Sequence, residues 1–240
     1  MNKKINIEKI NKFPANKFKH INFLNLISKD ISKRKYKIIV LDDDPTGVQT
    51  VHNVPKRIFV KSIDNEKKIG IIIVGSFVKK STEQLNYLIE NSDNIHPILL
   101  NIDNLFKNTQ SEIEKVINIT INSINKNKTP LIYTSRKLKI GKGEAQNIFI
   151  SRTISDCLAS IIKNIKIKPK YIITKGGITS SDIATKALKV KKALVLGQIY
   201  PGIPVLKISN PVKFRNLPLI IFPGNVGDKR TLLKIYNDLK

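Results

Sequence analysis

A single cysteine, Cys157, in 240 residues excludes an internal disulfide framework and points to a reducing compartment. Tryptophan is absent and aromatics make up 6% of the chain, so stacking platforms for nucleic acid are scarce. No apolar run approaches the length of a membrane span. Lys3 and Lys4 precede apolar runs that Asn, Lys and Glu8 interrupt, so no signal-peptide core is expected and the reading is cytoplasmic. Neither G-x-x-x-x-G-K-[ST] nor G-x-G-x-x-G occurs, which removes two familiar phosphate-loop signatures. A G-x-S-x-G elbow is missing too. His20 and His96 have no metal-ligand spacing to each other or to Cys157, so hydrolase and zinc readings lack support.

Positive charge, by contrast, is abundant. The net charge is +25, yet only six of the 43 basic residues are arginine, and the longest uninterrupted basic run is Lys33-Arg34-Lys35. Nucleic-acid surfaces concentrate charge on one face and favour arginine. Scattered lysines among many Ile and Asn read instead as a solvated surface. With 41% hydrophobic residues the chain can bury a sizeable core.

Short β-branched runs alternate with longer amphipathic stretches. That pattern predicts an α/β fold with a mostly parallel sheet flanked by helices in three layers. Strands are expected at Lys37–Asp42, Arg57–Val60, Gly70–Gly75, Pro97–Ile102, Pro130–Thr134, Tyr171–Thr174, Ala193–Leu196 and Leu217–Phe222. Helices are expected at Ile21–Ser32, Thr82–Asn91, Gln110–Lys126, Ala145–Asn164, Ser181–Lys189 and Asp228–Leu239, the second capped by Ser81 with an acidic first turn. The polar stretch Lys61–Lys68 marks a boundary between an N-terminal portion (1–66) and the remainder (67–240).

Four strand ends carry residues suited to a ligand. Leu41-Asp42-Asp43-Asp44-Pro45-Thr46-Gly47 follows an apolar strand, and its carboxylates suit Mg²⁺, sugar hydroxyls or a base role. A solvated turn would use the same residue types, but three adjacent Asp repel one another. Lys175-Gly176-Gly177-Ile178-Thr179-Ser180-Ser181 runs from strand to helix, where paired glycines and free N–H groups suit a phosphate. An ordinary turn with a Ser cap is the bland alternative. Pro223-Gly224-Asn225-Val226-Gly227-Asp228 and Gly75-Ser76-Phe77 repeat the arrangement. Between them, 196–204 reads as a fixed irregular loop, either an adenine-facing wall or simply a rigid connection.

Taken in order, L-D-D-D-P-T-G-V-Q-T-V-H-N-V-P, V-G-S-F-V, Y-T-S-R, K-G-G-I-T-S-S-D-I-A-T-K-A-L, V-L-G-Q-I-Y-P-G-I-P-V and F-P-G-N-V-G-D resemble the four-carbon acid sugar kinase family. The resemblance implies two α/β domains and ATP-dependent phosphorylation of a hydroxyl on erythronate, threonate or a 3-oxo relative. By the same resemblance, Asp43 and Asp44 are catalytic and Thr46 and Gly47 bind the sugar acid. Ser76, Gly176, Gly177, Ile178, Thr179, Gly224 and Asn225 surround ATP, with Mg²⁺ as the accompanying ion. One departure is plain. Only Pro55–Ile69 joins the acidic motif to the V-G-S strand, where the family carries most of its sugar-binding domain, and no Asp-Ser-Thr occurs. The N-terminal portion (1–66) is therefore expected to be a truncated α/β remnant beside a nearly complete nucleotide domain (67–240). Three readings stay open: a working kinase, a nucleotide binder without turnover, and, ranked last, a basic nucleic-acid binder. A homo-oligomer or a complementing second chain is compatible with each of the first two.

Overall fold

The computed structural model describes residues 69–136, 143–191, 193–208 and 213–240. The expected elements at Ile21–Ser32, Lys37–Asp42 and Arg57–Val60, the Lys61–Lys68 boundary and the acidic motif lie outside the described residues.

In chain order the elements are β1 (Ile71–Val74), α1 (Lys79–Glu90), β2 (Ile95–Leu100), α2 (Ile102–Lys107), α3 (Thr109–Asn125) and β3 (Thr129–Thr134). There follow α4 (Glu144–Asn164), β4 (Ile172–Lys175) and α5 (Gly177–Asp182), which a single π-turn (Ile183–Ala187) continues. The hairpin β5 (Ala193–Tyr200) and β6 (Ile203–Ile208), then β7 (Pro218–Phe222) and α6 (Thr231–Leu239), complete the domain.

Strand β1 shows why the apolar runs are continuous rather than alternating. All four of its residues are buried. Successive side chains point to opposite faces, so Ile71 and Ile73 enter one apolar cluster while Ile72 and Val74 enter the other. On the first face lie Leu105, Val116, Leu158, Ile161 and Leu188 from the α2–α5 side. On the second lie Leu85 and Leu88 of α1 with Leu232, Ile235 and Leu239 of α6. The result is the expected three-layer α/β arrangement.

The sheet order is β2-β3-β1-β4-β7-β6-β5. The first five strands are parallel, and β6 and β5 add an antiparallel edge. From β1 the chain crosses to β2 at the outer edge, returns through β3, and then places β4 on the opposite flank of β1. Strand order thus reverses between β1 and β4, and in open α/β sheets the crevice outside the carboxyl ends at such a point is where ligands bind.

Two local expectations are corrected. Helix α1 starts at Lys79 with Val78 as its cap residue, no side-chain cap and no acidic residue in its first turn. Ser81 is buried instead, because its hydroxyl finds tertiary partners described below. The stretch 196–204 is no irregular loop but the turn of the β5–β6 hairpin. Gly202 supplies the left-handed residue (φ 77°), and its N–H donates to Gln198 Oε1 at 2.8 Å. Register shifts beside Gly197 and Gln198 absorb the irregularity, and Pro204 precedes the Val205–Lys207 segment that pairs with β7.

Because Ile73 is fully buried in a central strand, Ile73→Ala should cost about 2–5 kcal/mol of stability by chemical denaturation.

Candidate functional site

Three strand-to-helix turns converge at the switch point, from the adjacent strands β1, β4 and β7. Their main chains are joined directly: Ser76 N–H donates to Lys175 O at 3.2 Å, and Gly176 N–H donates to Phe222 O at 2.8 Å. A Cβ on Gly75 would overlap Thr179 Oγ1, so any larger residue there would push the first two turns apart. Gly176 has φ 115°, which L-residues rarely adopt, and a Cβ there would stand 3.0 Å from Ser76 Cβ. On Gly224 the corresponding atom would lie 2.8 Å from Ser76 Oγ. Ser76 is therefore the point where all three turns meet.

Polar side chains, Ser81 and Gln84 buried among them, hold this junction. Ser81 Oγ lies 3.0 Å from both Ser76 Oγ and Gly224 O. The carbonyl can only accept, so the consistent pattern has Ser81 donating to Gly224 O and Ser76 donating to Ser81. Gln84 Nε2 donates to Val226 O (3.0 Å) and Asp228 O (2.6 Å), and Lys80 Nζ donates to Asn225 O (3.0 Å). From the other flank Arg136 spends its guanidinium on main-chain carbonyls: Nη1 to Ser76 O (2.8 Å), Nη2 to Val74 O (3.3 Å) and Nε to Thr134 O (2.9 Å). A basic residue at a strand end suggests a phosphate contact, but Arg136 is a buttress between β1 and β3.

Lys175, which precedes the glycine pair, is fully buried: Nζ donates to Pro223 O at 3.0 Å and sits 3.6 Å from the centroid of the Phe222 ring. Burial, helped by the nearby positive charge of Lys80, brings its pKa down to about 7.

Helix α5 has Gly176 as its cap residue and no side-chain cap. The Ser cap of the bland reading is thus absent. Ser180 is turned inward, bonded to Thr174 and to Gly176 O. Helix geometry leaves the N–H groups of Gly177, Ile178 and Thr179 without intrahelical acceptors, and these point an electropositive end toward the crevice. A cleft of about 190 Å³ lies here, lined by Gly75–Val78 and Gly176–Thr179 on one side and by Ser151, Ile154, Ser155 and Leu158 of α4 on the other. A wider one, of about 960 Å³, adjoins it through Ser151 and Ile178.

Of the sequence-derived residues, Ser76, Gly176, Gly177, Ile178 and Thr179 line the cleft, and Gly224 abuts Ser76. Asn225 is exposed and its carbonyl is held by Lys80. Asp43, Asp44, Thr46 and Gly47 lie outside the described residues. Sequence reasoning missed Ser81, Gln84, Arg136 and the serines of α4. The last had a signal: Ser151 and Ser155 interrupt the apolar series Ile154, Leu158, Ile161 at helical spacing. Among the described residues no His, Cys, Asp and Glu cluster could hold a metal ion. His96 bonds Ser123, and Cys157 is buried with its thiol pKa raised by burial, so both are structural as expected.

Glycine-lined turns with uncapped N–H donors at a strand-order switch define an α/β domain of the nucleotide-binding class. The comparisons agree. A family model described as the nucleotide-binding C-terminal domain matches residues 71–232. The chain belongs to this family, which is that of the four-carbon acid sugar kinases.

No curated protein matches it in sequence. Solved structures do. A Salmonella typhimurium LT2 protein provisionally labelled a tRNA synthase superposes with a TM-score of 0.56 at 14% identity, over 72% of this chain and 42% of that one. A domain of unknown function from Bordetella bronchiseptica, a domain-swapped dimer with bound citrate, gives 0.52 at 12% identity over 72% and 41%. At these identities the likeness establishes the fold, and the chain spans about two fifths of the length of each.

The lowered pKa of Lys175 fixes the sign of a pH effect. Between about pH 7 and the ordinary lysine value the unfolded chain holds the extra proton, so this group makes the fold more stable as pH rises. Lys175→Met removes the buried charge. Its melting temperature relative to the parent should therefore improve by several degrees between pH 10 and pH 7; a constant difference would contradict the assignment.

Proposed function

We propose that this domain binds ATP, with its phosphates on the N–H groups of Gly177, Ile178 and Thr179 beside Ser76. The observation that carries this is the convergence of three glycine-lined turns on Ser76 beside an uncapped helix start. The fit is chemical as well as steric. Gly176 and Gly224 let their turns close directly onto Ser76, no carboxylate lines the narrower cleft among the described residues, and the free donors suit an anion. In this reading Gly224 and Asn225 approach the phosphates from beside Ser76, on the loop that Lys80 and Gln84 hold.

In the fuller reading the chain is a kinase for a four-carbon sugar acid, working in the cytoplasm. ATP, when bound, supplies the transferable phosphoryl group. Asp43 and Asp44 engage the acceptor hydroxyl, Thr46 and Gly47 hold the acid, and Mg²⁺ travels with the phosphates. The citrate carried by the Bordetella protein is itself a hydroxy acid, the chemical class of such an acceptor. A second reading, nucleotide binding without turnover, is favoured by the short Pro55–Ile69 connection, because phosphoryl transfer needs both reactants held in line.

ATP at a hundred times its dissociation constant should stabilise the protein by about 2.7 kcal/mol, a shift of several degrees in melting temperature. Ser76→Ala removes the hydrogen bond to Ser81 where the three turns meet and should weaken ATP roughly tenfold by loosening them. ADP formation that depends on added erythronate or threonate separates kinase from binder. No shift at millimolar ATP would reject both readings.

An anion on the Gly176–Thr179 turn, which directly follows Lys175 in the chain, would favour the charged form of that lysine. Binding at pH 8 should then take up protons, seen as a calorimetric heat that varies with buffer ionisation enthalpy and vanishes in Lys175→Met.

A further inference from the structure

Ser155 sits in the middle of α4 and is 4% exposed, yet its hydroxyl has no hydrogen-bond partner. Helical serines and threonines commonly turn back to the carbonyl one turn earlier. Thr153 on the same helix does so, donating to Phe149 O at 2.9 Å. Ser155 does not. It belongs to the face of α4 that lines the narrower cleft, with Ser151, Ile154 and Leu158 at helical spacing. A buried hydroxyl left unsatisfied is costly, and such groups in native proteins call for an explanation.

The surroundings say what would satisfy it. Opposite Ser155 stand the apolar side chains of Phe77, Val78 and Ile178, and Phe77 and Ile178 remain 47% and 64% exposed. The cleft therefore combines apolar walls, one buried hydroxyl without a partner that can donate or accept, and an anion-binding turn at its margin. A free phosphate gains nothing from apolar walls. A flat heteroaromatic ring with a polar edge gains from both walls and hydroxyl, and a phosphate chain attached to it can reach the Gly176–Thr179 turn.

We propose that Ser155 is the residue that hydrogen-bonds the edge of the nucleobase, with Phe77 and Ile178 covering the ring. This deepens the nucleotide reading above and rests on it.

The test compares ATP with inorganic tripolyphosphate by calorimetry on the full chain. Ser155→Ala should weaken ATP about fivefold to tenfold and leave tripolyphosphate unchanged. Ser155→Leu, which fills the slot, should weaken ATP further, again without affecting tripolyphosphate. Without ligand, Ser155→Ala should melt at the same temperature as the parent or higher, because it removes an unsatisfied group.

Three results would overturn the proposal: parental ATP affinity in Ser155→Ala, equal losses for ATP and tripolyphosphate, or a clearly lower melting temperature, which would mean that the hydroxyl has a partner within the protein. A parent protein that binds tripolyphosphate but gains nothing from the base would overturn it too. If the parent binds neither ligand, the nucleotide reading itself falls.

Discussion

Everything at the site depends on how closely the carboxyl ends of β1 and β4 approach. The two strands are parallel neighbours with Val74 opposite Lys175, so the turns that follow them must pass side by side. Glycine at 75 and 176 removes the side chains that would hold them apart. Ser76 and Thr179 are then brought together although a hundred residues separate them in sequence. The strand order reverses at this same pair, so the helices that follow leave in different directions and a crevice opens between them.

Polar groups at such a junction lie near the core and must be satisfied there. Arg136, Gln84, Ser81 and Lys175 supply donors to carbonyls that the sheet and helices do not reach. Each is individually modest, about 1 kcal/mol net for a neutral bond. Their joint effect is to hold three loops in one arrangement, which preorganises the crevice for a ligand. Lys175 is the most demanding of them. Its ammonium is kept out of water against Pro223 O and the Phe222 ring, so its proton is loosely held.

The layered fold was legible because its signals are local. Runs such as Ile71–Val74 and Leu219–Phe222 read as strands buried on both faces, and the amphipathic stretches between them as covering helices. The glycine turns were legible for the same reason. What could not be read depended on distant partners. Ser81 looks like a helix cap until Gly224, far along the chain, is placed beside it. Arg136 carries no local signal of its role, which appears only when its donors are found on carbonyls of β1 and β3. Pro201-Gly202 looks like a break in structure until β7 offers β6 a partner, and propensity then yields to the ladder.

By itself, then, the sequence determined the α/β class, the strand-to-helix turns with their glycines, and the family, because periodicity and motifs are written along the chain. Only the tertiary structure decided that the turns after β1, β4 and β7 share one crevice. It also decided that Ser76 is their meeting point and that α4 turns Ser155 toward the cleft. The physical reason is the strand order. Parallel pairing sets which strand ends are neighbours, and no local pattern encodes that adjacency.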